Sequence, residues 1–182
     1  MLNKSVARRY AEAFFSIARE AGKVDEYQQE LELVVRTVDE SELLKEYFAH
    51  LLIPAKEKKE VAHKIFAGQI SQTTLNFVCM ILDKKRETYL ALITEEYTDM
   101  ADEQRNILKA EMYSAREIPE SDVNDLAKKL SASTGKTVQL KPMVDPGLLG
   151  GIKVRIGDQI VDATVAKKLE MLKSSMKQTK IS

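Results

Sequence analysis

The sequence predicts a mainly α-helical protein, with an N-terminal six-helix bundle in residues 1–105 and a small α+β domain in residues 106–182. Three observations support this division. Apolar residues recur at helical spacing through the first part, whereas from Leu108 they alternate with polar residues as in a half-buried strand. All eleven Phe and Tyr residues lie at or before Tyr113, and five of the seven Gly lie at or after Gly135. The first part carries 15 basic and 19 acidic residues and the second 13 and 9, so a neutral total conceals two oppositely charged domains.

The first three helices are predicted from their spacing and their end residues. Helix one ends near Gly22, and the second helix repeats apolar residues at helical spacing between Val24 and Val38. Asp39 or Ser41 then caps a third helix, because a short polar side chain there accepts from free backbone N–H groups.

The next three helices are separated by equally clear residues. Pro54 suits the first turn of helix four, where its missing N–H would be unpaired anyway, and Gly68 suits its end. Residues 71–85 contain six consecutive apolar residues, which fit a buried strand or a helix, but Ser71 as a cap and the length favour a helix. The sixth helix carries on one side Leu90, Ile93, Tyr97 and Met100.

The second domain is predicted to begin with a strand near Leu108. Ser121 caps the next helix, which ends at Gly135, and TVQLKP follows as a second strand. IKVRI and QIVDA form a hairpin through the turn Gly157-Asp158. Asp162 or Thr164 caps a last helix that has on its inner side Val165, Leu169, Leu172 and Met176.

No stretch approaches the roughly 18 consecutive apolar residues of a membrane span, and the N-terminus lacks the apolar core of a signal peptide. We therefore expect a protein without direct membrane insertion. The single cysteine, Cys79, lies in the run FVCMIL and is expected to be a small buried apolar residue. The neutral total charge disfavours a uniformly basic nucleic-acid binder.

Four glycines between Gly147 and Gly157 could suggest a phosphate-binding loop. Neither the Gly-x-x-x-x-Gly-Lys-Ser/Thr nor the Gly-x-Gly-x-x-Gly spacing occurs, and Gly150-Gly151 leads into a predicted strand rather than a helix N-terminus. His50 and His63 lack the partners and spacing of a metal site. The sequence predicts no catalytic, cofactor or metal site.

Two helices carry more apolar surface than one core requires. The apolar residues of helix one fill roughly 200° of arc, about twice the stripe of a surface helix, and residues 77–82 point in nearly every direction. Either both helices are central in the bundle, or an apolar groove between them accepts an amphipathic helix from a partner. The lysines of the last helix form a solvated face or dock an acidic partner.

The segments ARRYAEAFFSIA (residues 7–18) and VDPGLLGGIKVRIGDQIVDATVAKKLEML (residues 144–172) resemble the delta subunit of the F-type ATP synthase, the family that includes the mitochondrial oligomycin-sensitivity-conferring protein. The resemblance covers essentially the whole chain. One departure is Ala163, where the family often has Gly after the Asp.

The resemblance implies that the bundle lies on the catalytic head and binds the N-terminal helix of an alpha subunit between its first and fifth helices. The matching positions in this chain are Ala7, Tyr10, Ala11, Phe14, Asn76, Phe77 and Met80. It also implies that the C-terminal domain binds the b subunits of the peripheral stalk. The candidate contacts there are Lys153, Arg155, Lys167, Lys168 and Leu172.

The function implied by the resemblance is that of a non-catalytic stator subunit without a cofactor, present in one copy per complex. Because the family pattern starts a few residues into the chain, we expect a bacterial or plastid-encoded protein without a transit peptide. It would lie on the cytoplasmic face of the plasma membrane or the stromal face of the thylakoid. The alternative is a helical nucleic-acid or ribosome-associated adaptor, but the C-terminal part has no aromatic residue beyond Tyr113 to stack on bases.

Overall fold

The computed structural model describes residues 3–157 and 159–179, with the backbone alone for Leu172 and residues 174–179. The chain divides into two compact units, Met1–Gln104 and Arg105–Ser182. The predicted fold class is confirmed at the level of a mainly helical chain with a small four-stranded sheet in its C-terminal part.

Helices make up the first unit. The ambiguous segment 71–85 contains a helix, Gln72–Asp83, rather than a strand. A short 3₁₀ helix, Glu87–Tyr89, which was not predicted, precedes the last long helix of this unit. The α-helices are α1 (Lys4–Ala21), α2 (Val24–Glu40), α3 (Glu42–Ala49), α4 (Ala55–Phe66), α5 (Gln72–Asp83) and α6 (Leu90–Gln104).

The helix ends follow local chemistry, with one correction to the sequence-based expectations, at Pro54. Gly22 ends α1 in the left-handed conformation at φ 66°, which glycine adopts without steric penalty. Ser41, not Asp39, caps α3 by accepting from the backbone N–H of Leu44. Pro54 occupies the N-cap of α4 rather than its first turn, because its extended backbone serves the half-in position just before the helix.

Aromatic rings hold the core of the first unit together. The ring of Phe14 in α1 stacks on Phe77 of α5 with centroids 4.1 Å apart and on Tyr27 of α2 at 5.4 Å. Tyr97 of α6 is fully buried, and its hydroxyl donates to the backbone carbonyl of Val24 at 3.1 Å. The buried Tyr97 thus joins α6 to the start of α2 without leaving its polar atom unpaired.

A buried ion pair crosses the same unit. The side chain of Lys58 in α4 is only 4 % exposed and that of Glu87 9 %. The Lys58 ammonium donates both to the Glu87 carboxylate and to the backbone carbonyl of Phe48 at the end of α3. One charged side chain therefore joins α4, α3 and the 3₁₀ helix.

The second unit is a four-stranded sheet with two helices. Its strand order is β2-β1-β3-β4, with β1 and β2 parallel and the other two pairs antiparallel. Its elements are β1 (Ile107–Ser114), α7 (Glu120–Thr134), β2 (Thr137–Val144), β3 (Ile152–Ile156), β4 (Gln159–Asp162) and α8 (Val165–Thr179).

Helix α7 forms the crossover between the parallel strands β1 and β2 and packs on β2. Pro119 occupies its N-cap instead of the predicted Ser121, whose hydroxyl bonds Asp122, and Gly135 ends it at φ 68°. Alternate residues of the strands face this helix. The resulting core contains Ala110, Met112, Val123, Val138 and Val154.

Candidate protein-binding surfaces

The stacked rings of Phe14 and Phe77 mark the place where α1 and α5 meet. On α1, Ala7 and Ala11 are completely buried and Phe14 is 1 % exposed. On α5, Phe77 is 6 % exposed. These four predicted contact residues therefore belong to the core of the free chain. They can shape a binding surface from beneath, but they reach a partner only if the helices move.

Other side chains beside this stack remain accessible. Of the predicted residues, Tyr10 is half-buried, Asn76 is exposed and Met80 is 37 % exposed. Ile17, which was not singled out from the sequence, is 48 % exposed. Ile17 and Met80 each follow a stacked ring by three residues, so each lies one turn along on the same face of its helix.

The wide apolar arc of α1 is thus only partly used by the core. Ala7, Ala11, Phe14 and Ala18 are buried, whereas Ala13 and Ile17 on the same arc are exposed. The arc had left open whether α1 was simply central, and the groove stays a prediction. We give the name α1/α5 groove to the accessible side chains near the Phe14–Phe77 stack, Tyr10 and Ile17 on α1 and Asn76 and Met80 on α5.

Polar residues of α4 and α5 flank the groove on one side. Lys59 pairs with Asp83 at 2.7 Å, and the Cys79 sulfur lies 3.6 Å from Nε2 of His63. Cys79 is half-buried instead of fully buried, and burial raises the pKa of its thiol. The groove thus has an apolar centre and a charged flank, as protein interfaces commonly do.

The glycine cluster receives the N-terminus of α8. A side chain at Gly151, whose φ is +85°, would place its Cβ 2.6 Å from the carbonyl oxygen of Ala163 and 2.8 Å from Cα of Thr164. The backbone N–H of Val165 donates to the carbonyl of Gly150 at 2.9 Å. The glycines therefore allow two backbone segments to touch.

Ala163, the departure from the family pattern, is accommodated without strain. Among the described non-glycine residues, only Lys85 and Asn106 have a positive φ, so Ala163 does not adopt the conformation that would require glycine. Its N–H donates to the carbonyl of Ile152 at 2.9 Å.

Thr164 caps α8, and Asp162 supports the cap. The N–H of Lys167 donates to the Thr164 hydroxyl at 3.2 Å, and the N–H of Thr164 donates to Asp162 at 2.9 Å. Hydrogen bonds from the side chain and the backbone N–H of Thr164 hold the pKa of the Asp162 carboxyl below its ordinary value of 3.8, and the nearby ammonium groups of Lys153 and Lys167 lower it further. Two of the predicted stalk-binding lysines thus lie around one carboxylate.

Acidification is expected to loosen the start of α8 before the rest of the second unit. Because the pKa of Asp162 is lowered on folding, its contribution is present above about pH 3.8 and is lost as the pH falls below that value. The protection factors of the Thr164 and Val165 amides, which are corrected for intrinsic exchange, should fall over this range in the wild type. In Asp162→Asn they should no longer change with pH; an unchanged profile would mean that another carboxyl controls this cap.

The remaining predicted residues of the second unit lie on the outer sheet face and on α8. Lys153 and Arg155 of β3 lie directly opposite Tyr113 and Glu111 of β1, so the four side chains share one face. Lys167 pairs with Glu170 at 2.7 Å, and Lys168 is exposed. The side chain of Leu172 falls outside the described part of the structure.

Exposed apolar side chains accompany these charges. They are Ile160 at 56 %, Val161 at 51 %, Val165 at 43 %, Leu169 at 57 % and Met171 at 55 %. Ile160 lies opposite Arg155 on one face of the sheet, whereas Val161 lies opposite Val154 on the other. On α8, Val165 and Leu169 share one side of the helix and Met171 lies on another. We call the exposed apolar side chains of these two elements, chiefly Ile160, Val165 and Leu169, the β4/α8 surface.

These features define a class of protein in which a helical unit and a small α+β unit each present apolar side chains suited to binding other proteins. Residues 6–176 match the family described as the ATP synthase delta (OSCP) subunit. The chain belongs to this family. It is 71 % identical over 182 residues, the full length of both chains, to ATP synthase subunit delta of Syntrophomonas wolfei. It is 39 % identical, again over the full length of both chains, to that of Desulforudis audaxviator.

A solved structure shares the fold at low sequence identity. The chain aligns with one in the cryo-EM structure of the Toxoplasma gondii mitochondrial ATP synthase hexamer at a TM-score of 0.71 and 17 % identity, covering 93 % of this chain and 96 % of the other. Among the residues that the structure describes, no helix has both the length and the apolar character that a bilayer crossing requires.

Proposed function

We propose that this chain is the non-catalytic stator subunit of an F-type ATP synthase, linking the catalytic head to the peripheral stalk. The observation that carries the proposal is that each of the two units exposes apolar side chains that its own core does not use. A linker needs two such surfaces, because it must hold two partners at once. Membership of the delta (OSCP) family supports the same role.

The six helices of the first unit act as a bundle that binds the N-terminal helix of the alpha subunit along the α1/α5 groove. Ile17 and Met80 supply exposed apolar contacts, with Tyr10 half-buried and Asn76 polar beside them. Beneath them lie the buried residues Ala7, Ala11, Phe14 and Phe77. An amphipathic partner helix places apolar anchors in such a groove at intervals of three and four residues.

The second unit binds the b subunits of the peripheral stalk through the β4/α8 surface. Its apolar side chains would provide the contact area, and nearby cations would select acidic segments of the stalk. The proposed cations are Lys153, Arg155, Lys167 and Lys168, with Leu172 as a further apolar contact.

The function is mechanical. Rotation of the central stalk exerts torque on the catalytic head, and the head turns with it unless it is held. Binding strength is therefore the property that matters, and a nanomolar dissociation constant corresponds to about −12 kcal/mol. Each complex contains one copy of this subunit, which needs no cofactor. The subunit lies peripherally on the face of the membrane that carries the head, which is the cytoplasmic face in a bacterium.

Ile17→Asp is expected to weaken binding of a synthetic alpha N-terminal helix by roughly 30-fold, because a charge would replace an apolar anchor worth about 2 kcal/mol. Ile17 is 48 % exposed, so the thermal midpoint of the free chain should change little. Titration calorimetry and thermal unfolding of the full chain measure the two effects. Tyr10→Asp should lower both, since Tyr10 also packs against the core.

Leu43→Asp is the matched control, because Leu43 on α3 is an apolar residue that is 81 % exposed and lies outside the groove. It should leave binding unchanged. NMR shifts induced by the peptide should cluster on α1 and α5. Equal losses for Ile17→Asp and Leu43→Asp, or shifts confined to other helices, would refute the groove assignment.

A further inference from the structure

A second concave site lies in the first unit, between α2, α3, α5 and the segment leading into α6. It is a cavity of about 310 Å³, and its walls are mainly apolar. Its principal lining residues are Val34, Val35, Val38, Phe48, Val78 and Ile81. It shares α5 with the α1/α5 groove but includes none of the groove residues.

Several residues that line this cavity are also buried in the core of the first unit. Val34 has no exposed surface, Ile81 is 1 % exposed and Val78 3 %. The cavity exists because small side chains line it, namely valines together with Ala49 and Ala91. Leucine or phenylalanine at these positions would fill it. A preformed apolar cavity of this size is typical of sites for small molecules.

One buried charged group lines the cavity. Glu87, whose side chain is 91 % buried, accepts from Lys58 through Oε1. Its other oxygen, Oε2, is buried and has no hydrogen-bond partner among the residues that the structure describes. An ionised carboxylate accepts hydrogen bonds and cannot donate them, so it selects ligands that carry a donor.

The rim is also polar. Lys45 and Asp39 line the cavity as an exposed pair 3.6 Å apart. Apolar walls with a few polar groups at defined places are what orients a small ligand in a pocket.

We propose that this cavity binds a small apolar molecule bearing one hydrogen-bond donor head, an ammonium or a hydroxyl, which donates to the Glu87 carboxylate. The apolar body fills the space between the α2 valines and α5. Such binding is independent of the stator role, because it uses neither the α1/α5 groove nor the second unit.

Three probes with the same ring and different heads test the proposal on the full chain: cyclohexylmethylamine, cyclohexylmethanol and cyclohexanecarboxylate. The amine and the alcohol should bind and shift the methyl NMR signals of Val34, Val38, Val78 and Ile81. The carboxylate should bind at least fivefold more weakly, since its charge repels Glu87. Equal binding of all three, no binding at millimolar concentration, or shifts elsewhere would overturn the proposal.

Two substitutions separate the cavity from its polar group. Ala91→Phe fills the space from an exposed position and should weaken all binding at least tenfold, whereas Ala21→Phe, at the exposed end of α1, should not. Glu87→Gln should remove the preference for the amine and the alcohol over the carboxylate, because the charge that repels the carboxylate is gone. If the preference persists in a folded Glu87→Gln protein, or Ala91→Phe binds as the wild type does, the assignment is wrong.

Discussion

Replacing Gly151 by alanine is expected to destabilise the second unit by about 3 kcal/mol and to detach the first turn of α8. Two effects add. Alanine at a φ of +85° is strained, and its Cβ would lie 2.6 Å from the carbonyl oxygen of Ala163. Because the contacting atoms are backbone rather than the flexible end of a side chain, the helix start itself must move.

Gly135→Ala is the matched control for backbone strain. Gly135 also has a left-handed conformation, with φ at +68°, but nothing lies within 4 Å of an added Cβ. It should therefore show the strain alone, about 1 kcal/mol. Urea unfolding and amide exchange of Thr164 and Val165 separate the two variants. If both lose the same stability, the close contact with α8 has no importance of its own.

Gly151→Ala should also affect the binding of only one of the two proposed partners. Gly151→Ala should weaken binding of a b-subunit fragment, because α8 carries part of the β4/α8 surface. Binding of the alpha peptide should be unchanged, since the groove lies in the other compact unit.

Lys58→Met is expected to destabilise the first unit by about 3 to 5 kcal/mol. The substitution removes the ammonium that donates to Glu87 and to the carbonyl of Phe48. It leaves a carboxylate that is only 9 % exposed without its counter-charge. A buried charge without a partner is among the most unfavourable consequences of a single substitution.

The double variant Lys58→Met/Glu87→Leu should recover most of this stability, because a buried ion pair often contributes little more than apolar residues of similar volume. Lys23→Met is the control, since Lys23 pairs with Glu26 at 3.0 Å on the surface and should matter by less than about 1 kcal/mol. Unfolding followed by far-UV circular dichroism measures all three. A Lys58→Met protein as stable as Lys23→Met would contradict the account.

Local residue patterns predicted most of the elements. Glycine, serine and periodic apolar residues determined the ends of α1, α3 and α5, because each acts through atoms within one turn of chain. Pro119 displaced Ser121 as the cap of α7 for the same kind of local reason, and the choice between them required the backbone conformation.

Interactions between distant segments were not predicted. Lys58 was not singled out from the sequence, and its partner Glu87 is 29 residues away. Gly151 was expected only to lead into a strand; its contact with the start of α8 depends on how β3 and β4 return the chain.

The candidate groove was predicted only in outline. Helical spacing identified an apolar arc too wide for one core, yet it could not distinguish the buried Ala11 and Phe14 from the exposed Ile17. That distinction depends on where α5 and α6 pack around α1, which periodicity along a single helix does not contain.

The central claim is that one chain holds the head and the stalk at the same time. Native mass spectrometry of the full chain mixed with a synthetic alpha N-terminal helix and a soluble b-subunit fragment tests it most directly. The account predicts an assembly containing one copy of this chain with both partners bound, and equal affinity for each partner whether or not the other is present. Mutually exclusive binding, with one partner displacing the other, would contradict it.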